Sequence, residues 1–274
     1  MLDHWMQDDV RIGDARLHYC RTGRGEKPPL VLLHGFSDNG LCWTPAARDL
    51  ETEYDVIMPD ARAHGLSERA RPGEPVDLAA DAAGIIRTLG LRRPVVAGHS
   101  MGAMTAYQVC VRFPELVRAL VLEDPPWRES RPAQTDASYQ SMQAWAKNLP
   151  NRTLEELLAE NRRDHPAWSE EMVRLLSESK KQLDPGILDA LMDAVRLQDT
   201  GWMTTVRTAA CPVLLLTGNP ERGAIVTPGT AAKVRALNPR VSVVHFPDVG
   251  HLIRFDDYPA FLDAVRAFLK QIPD

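Results

Sequence analysis

The sequence predicts an α/β fold: a mostly parallel, doubly wound sheet of about eight strands, with an all-helical cap. Three observations lead there. Runs such as Leu30-Val31-Leu32-Leu33 and Val213-Leu214-Leu215-Leu216 are continuously apolar, as strands covered by helices on both faces must be. Segments of helical spacing alternate with those runs, the order a parallel sheet requires. One long stretch, 127–207, breaks the alternation and carries helical patterns alone.

The elements follow in order. Residues near Val10–Thr22 alternate polar and apolar and read as an antiparallel hairpin at a sheet edge. Further strands are expected at Pro29–Leu33, Tyr54–Met58, Pro94–Gly98, Arg118–Glu123, Pro212–Thr217 and Val241–Phe246. Helices fall between them at Pro45–Glu51, Asp77–Leu89, Met101–Phe113, Pro228–Leu237 and Tyr258–Gln271. Within the cap, helices are expected at Ser138–Leu149, Thr153–Asp164, Ser169–Leu183 and Pro185–Gln198, punctuated by Pro150, Pro166 and Pro185. Thr153 and Glu156 have the spacing of a capping box. The chain therefore divides into a core, 1–126 with 208–274, and a cap, 127–207.

Composition narrows the function classes. The 274 residues are 44% hydrophobic, enough for a sizeable core, and carry a net charge of −5. Nothing forms a basic face, so nucleic acid is not an expected partner. No apolar run reaches the roughly 18 residues a membrane span needs. The acidic start Met1-Leu2-Asp3-His4-Trp5 lacks a secretory apolar core, so a cytoplasmic location is expected. Cys20, Cys42, Cys110 and Cys211 are far apart and show no metal-ligand or redox spacing. No metal and no cofactor is expected.

The candidate chemistry centres on Gly98-His99-Ser100-Met101-Gly102, between the run Pro94-Val95-Val96-Ala97 and a helical segment. Gly-x-Ser-x-Gly between strand and helix is a nucleophile elbow. A sharp turn holds the serine in a strained backbone conformation, and small residues two positions either side let strand and helix approach. Ser100 is the candidate nucleophile.

Three further motifs accompany it: Leu32-Leu33-His34-Gly35-Phe36, the loop Asp60-Ala61-Arg62-Ala63-His64-Gly65-Leu66-Ser67, and Gly250-His251 near the C-terminus. With these the chain resembles the α/β-hydrolase family, in its cap-bearing group of esterases, lactonases and C–C hydrolases. The resemblance covers nearly all of the chain and is weakest in the cap. Ala63 departs from the family's usual glycine, so a slightly different turn is expected there.

Acyl transfer needs a nucleophile, a base, an acid that orients the base, and an oxyanion hole. His251 is the expected base, since it follows the last strand in Ser-acid-His order. His34 and His64 are expected as buried hydrogen-bonders and His99 as packing behind the nucleophile. The acid is ambiguous. The resemblance places it after the strand Pro212–Thr217, where Gly218-Asn219-Pro220-Glu221 offers Glu221, the preferred candidate. Asp124, after Arg118–Glu123, is the alternative; Glu123 and Asp248 rank below both. The oxyanion donors implied are the backbone N–H groups of Met101 and, by resemblance, Phe36. Trp127, Met142, Trp145 and Trp202 are the candidate substrate-lining residues, although helix packing is the competing use of the cap's apolar residues. The expected substrate is a small-molecule ester or lactone, acyl-homoserine lactones included. The alternatives are C–C bond, amide or thioester hydrolysis, or a ligand-binding receptor with a vestigial triad.

Overall fold

In the computed structural model, which describes residues 4–69, 71, 76–129, 137–187 and 201–272, the chain opens with an edge hairpin. β1 (Met6–Ile12) and β2 (Ala15–Arg21) pair antiparallel, Met6 opposite Arg21. The remaining strands are β3 (Pro29–Leu33), β4 (Asp55–Pro59), β5 (Val95–His99), β6 (Ala119–Glu123), β7 (Val213–Thr217) and β8 (Val241–His245). The sheet order is β1-β2-β4-β3-β5-β6-β7-β8. β2 also meets β4 antiparallel, and every later pairing is parallel.

Every residue of β4, β5, β6 and β7 is buried, whereas β8 at the far edge is half open. That is the pattern expected of interior strands covered on both faces. One face packs on α2 (Leu78–Thr88), α3 (Met101–Arg112) and the helix Pro228–Leu237. The other packs on α1 (Thr44–Leu50) and the helix Tyr258–Leu269. Side-chain caps set several starts: Asp77 accepts from the Ala80 N–H, Thr227 from that of Thr230 and Asp257 from that of Ala260.

Between β6 and β7 lie α4 (Ala137–Asn148), α5 (Leu154–Asp164), α6 (Glu170–Gln182) and a short helix Trp202–Thr205. The Thr153–Glu156 capping box forms, with both reciprocal bonds present. The expected helix Pro185–Gln198 lies mostly outside the described residues. α5 and α6 are pinned together by Asn161, which donates to Ser177 Oγ at 2.8 Å and accepts from Lys180 Nζ at 2.8 Å. α6 and its C-terminal end are tied to the core's loops: Ser179 Oγ donates to the Ser37 carbonyl, Asn39 Nδ2 to Gln182 Oε1, and the Asp184 N–H to the Ala63 carbonyl. Ala63 itself has φ 66°, so the turn keeps the left-handed backbone although alanine stands there.

Trp127 and Trp202 correct an expectation. Both are 1% exposed and belong to the core beneath α3, not to a pocket wall. Their rings stack at 5.5 Å, and Tyr107 meets Trp127 edge-on at 5.1 Å. Apolar bulk at the two ends of an inserted segment closes the seam where that segment leaves and rejoins the sheet. Trp127→Ala is therefore expected to lower stability by about 3–5 kcal/mol, the usual cost of emptying an aromatic site. Urea unfolding checks this, and a loss of less than about 1 kcal/mol would contradict the packing role. No helix among the described residues is long and apolar enough to cross a membrane.

Candidate active site

β5 ends at His99, and Ser100 follows with φ 52° and ψ −114°. A non-glycine residue held at positive φ is strained, at a cost of order 1–3 kcal/mol. Its neighbours hold it there. The Ser100 N–H donates to the Glu123 carbonyl at 2.9 Å, and the Ser100 carbonyl accepts the Met104 N–H at 3.0 Å, opening α3. A Cβ on Gly98 would lie 2.3 Å from the Gly102 backbone, and one on Gly102 would lie 2.2 Å from the Leu33 carbonyl. Both glycines are thus required by close approach, as the sequence suggested.

Ser100 lines a cavity of about 380 Å³ together with Phe36, Met101, Met142, His251 and Leu252. The loop after β8 brings His251 there. Its Nδ1 donates to Asp124 Oδ2 at 2.6 Å. Asp124 follows β6 directly, is fully buried, and has φ 40°. Its carboxylate also accepts the N–H groups of Ile225 at 2.8 Å and Val226 at 2.9 Å. A carboxylate on Nδ1 fixes the imidazole ring and leaves Nε2 as the free basic nitrogen. Behind this pair, His99 Nε2 donates to the His251 carbonyl at 3.1 Å, with the two rings 4.6 Å apart.

Glu221 does not meet His251, which corrects the preferred acid. It sits in the exposed turn Pro220–Arg222. Asn219 closes that turn locally, accepting the Glu221 N–H at 2.9 Å and donating to the Pro247 carbonyl at 3.0 Å. The loop after β7 is therefore closed at Asn219 and tied to the loop after β8, and the acid that meets the histidine comes from the end of β6, one strand nearer to β5. Met142 lies on the cavity wall. Trp145 packs instead on a cluster that joins the insertion's Ala146, Leu149 and Leu157 to Ala63 and Met101 of the core, with Lys180 Nζ 5.8 Å from its ring centre.

Met101 is the first residue of α3, where a backbone N–H has no partner within its own helix. The second expected donor, the Phe36 N–H, shares its peptide plane with the Gly35 carbonyl. His34 controls that plane. Its Nε2 accepts the Ala61 N–H at 2.9 Å, so its proton resides on Nδ1, which donates to the Gly35 carbonyl at 2.7 Å. Burial, helped by the neighbouring His64, pushes the His34 pKa down to about 3, so the ring stays neutral.

This has a stability consequence. Unfolded, His34 takes a proton near pH 6.5, but folded only near pH 3. Between those values the unfolded chain binds the extra proton, so stability is expected to fall as pH drops, by up to about 1.4 kcal/mol per pH unit for this group. Urea midpoints at pH 7, 5.5 and 4.5 test it, and a flat series would count against a neutral buried His34.

The site contains residues that sequence reasoning missed. Arg254, 3% exposed, donates from Nη1 to Glu123 Oε2 at 3.1 Å and from Nη2 to Asp38 Oδ2 at 2.8 Å, while its own N–H bonds Glu123 Oε1 at 2.8 Å. This buried cluster joins the His251 loop, the end of β6 and the Phe36–Asp38 loop. Burial opposes ionisation of Asp38, but the His99 ring and the Arg254 charge outweigh it and hold its pKa far below the ordinary value. The available signal was a lone arginine inside the apolar run Leu252-Ile253-Arg254-Phe255. Arg128, on the cavity wall, was missed as well. Among the described residues, no three His, Cys, Asp or Glu side chains converge as metal ligands.

Residues 28–258 match the family model of the α/β hydrolase fold. The chain belongs to that family and is a hydrolase of that fold. It is similar along nearly its whole length to two bacterial enzymes. One is the 2-(acetamidomethylene)succinate hydrolase of Mesorhizobium japonicum, 29% identical, with 97% of this chain and 96% of the relative covered. The other is the N-formylmaleamate deformylase of Pseudomonas putida, also 29% identical, with 95% of each covered. Among solved structures, Est816, described as an N-acyl homoserine lactone degrading enzyme, superposes with a TM-score of 0.76 at 22% identity, over 95% of this chain and 100% of that one. At that identity the likeness is one of fold.

Proposed function

We propose that Ser100, His251 and Asp124 form an acyl-transfer triad, and that the protein hydrolyses small carboxylic esters or lactones through an acyl-enzyme. The observation that carries this reading is the 2.6 Å contact between Asp124 and His251 Nδ1, beside a cavity that Ser100 also lines. His251 Nε2 takes the Ser100 proton as Oγ attacks the substrate carbonyl. The N–H groups of Met101 and Phe36 hold the oxyanion, each worth roughly 3 kcal/mol in the transition state. The leaving group departs with the proton from His251. Water, deprotonated by the same nitrogen, then releases the acid. Residues 127–207 act as a cap, a role supported by the bonds from α6 to the loops beside the cavity.

A second reading is favoured by the two relatives aligned along their full length, whose names denote cleavage of N-acyl compounds. The same triad performs that reaction, with nitrogen as the leaving atom. One preparation assayed on p-nitrophenyl esters from acetyl to dodecanoyl, on acyl-homoserine lactones and on N-formyl and N-acetyl enamides separates the two. The ester reading expects efficiency to rise with acyl length until the cavity is filled, since each buried methylene contributes about 0.8 kcal/mol, and Met142→Ala to move that optimum. Turnover confined to the N-acyl compounds would favour the second reading. Absence of both burst and steady turnover on every substrate would reduce the protein to a binder.

A further inference from the structure

Resting on the acyl-transfer reading above, we propose that Arg128 forms a carboxylate subsite in the Ser100 cavity, so that the natural substrate is an acyl compound bearing a carboxylate near its scissile carbonyl. Arg128 is half-buried and lines the same cavity as Ser100 and His251. The other charged or titratable side chains of that lining already have partners: Asp38 is bonded to Arg254 and His251 to Asp124, while His99 bonds the His251 carbonyl. The Arg128 guanidinium has no hydrogen-bond or ion-pair partner among the described residues. Even the adjacent acid is taken. Glu129 pairs with Lys233 and accepts from Thr230 Oγ1, on the helix Pro228–Leu237.

The mounting of Arg128 is rigid, which a structurally idle surface arginine does not need. The Trp127 N–H donates to the Pro125 carbonyl at 2.7 Å, and the Trp127 ring is clamped between Tyr107 and Trp202. The Arg128 carbonyl accepts Trp202 Nε1–H at 3.0 Å. Much of the cavity wall that Arg128 shares is apolar, with Phe36, Pro126, Met142, Ile225 and Leu252. A planar fork of donors in such a setting matches a carboxylate in two parallel bonds, and partial desolvation strengthens them. A neutral acyl chain in the same place would leave a partly desolvated cation uncompensated.

The test uses matched pairs of substrates on the full-length protein: the monomethyl esters of succinic, glutaric and adipic acids against their neutral dimethyl esters, followed by methanol release. The wild type is expected to favour one anionic ester, and Arg128→Gln to lower the anionic-to-neutral ratio of kcat/KM by about tenfold or more, mainly through KM. Arg128→Lys, which keeps the charge but not the fork, is expected to recover part of the ratio. Thermal melts establish that each variant is folded. Binding is read separately by calorimetry in the Ser100→Ala background, where monomethyl succinate and free succinate are expected to bind and to lose affinity with Arg128→Gln. If neutral esters are cleaved but the ratio is unmoved by both variants, the subsite is wrong and the hydrolase reading stands. If nothing is cleaved yet Arg128-dependent anion binding persists, the subsite stands and the ester reading fails. Anion binding indifferent to Arg128 overturns the subsite in either case.

Discussion

Ser100→Ala is expected to reduce ester turnover by on the order of 10⁴- to 10⁶-fold, the loss typical of removing a nucleophile that works as one unit with its base. The fold should survive. Alanine keeps the same Cβ, so the strained φ of 52° is neither relieved nor worsened. The bonds that hold the elbow run through the backbone, from the Ser100 N–H to Glu123 and from Met104 to the Ser100 carbonyl. The glycine contacts at Gly98 and Gly102 are likewise backbone contacts. Purified variant with an unchanged melting temperature and no burst of p-nitrophenol would meet the expectation. A folded variant retaining more than a few per cent of wild-type turnover would falsify the assignment, because oxyanion-hole and binding effects alone leave far less than that.

Asp124→Asn is expected to lower kcat by about 10⁴-fold, whereas Glu221→Gln is expected to stay within about twofold of wild type. Asparagine nearly matches the carboxylate in shape, but one of its two heads is an NH₂ donor. Asp124 Oδ2 receives both His251 Nδ1–H and the Ile225 N–H, and Oδ1 receives the Val226 N–H. Whichever way the amide is turned, it points a donor at a donor. With the amide turned one way, the imidazole loses the acceptor that fixes its tautomer; turned the other, it keeps that acceptor but loses the facing charge that stabilises the imidazolium. The second effect, in either case, is a buried N–H left unsatisfied. It adds a stability loss of about 1–3 kcal/mol, so kcat must be measured below the variant's own melting transition. Glu221, exposed in its closed turn, has no such position to lose. Equal losses from the two variants would remove Asp124 from its role.

The sequence made the interior of this fold legible because β4, β5, β6 and β7 are buried on both faces, and a continuous apolar run carries that information locally. β1 was visible only at its end. Its residues are exposed except for Val10 and the half-buried Ile12, so Met6–Asp9 left no apolar signal. Ser100 was legible for a local reason too, since its two glycines are demanded by contacts within a few residues and with one neighbouring strand. The acid was not. Glu221 and Asp124 both follow a strand of the sheet, and what separates them lies far along the chain: the amides of Ile225 and Val226 and the ring of His251. Trp127 and Trp202 were illegible in the same sense. Their composition fits a pocket wall and a packed seam equally well, and only their mutual stacking decides.

The placement of Asp124 has a consequence for how such a protein can change its diet. With Asp124 as the proposed acid, the loop following β7 is relieved of side-chain duty in the triad. It meets Asp124 only through the amides of Ile225 and Val226, and any residue but proline offers an amide. Yet Gly223 and Ile225 stand on the cavity wall. Apart from Asn219, whose side chain closes the turn, and Gly223, whose φ of 95° favours glycine, residues 219–225 thus form a stretch where side chains are open to selection for substrate shape while the triad geometry is anchored by main chain. A library randomised there, with proline excluded at 225 and 226, is a route to new substrate ranges that leaves Ser100, His251 and Asp124 in place.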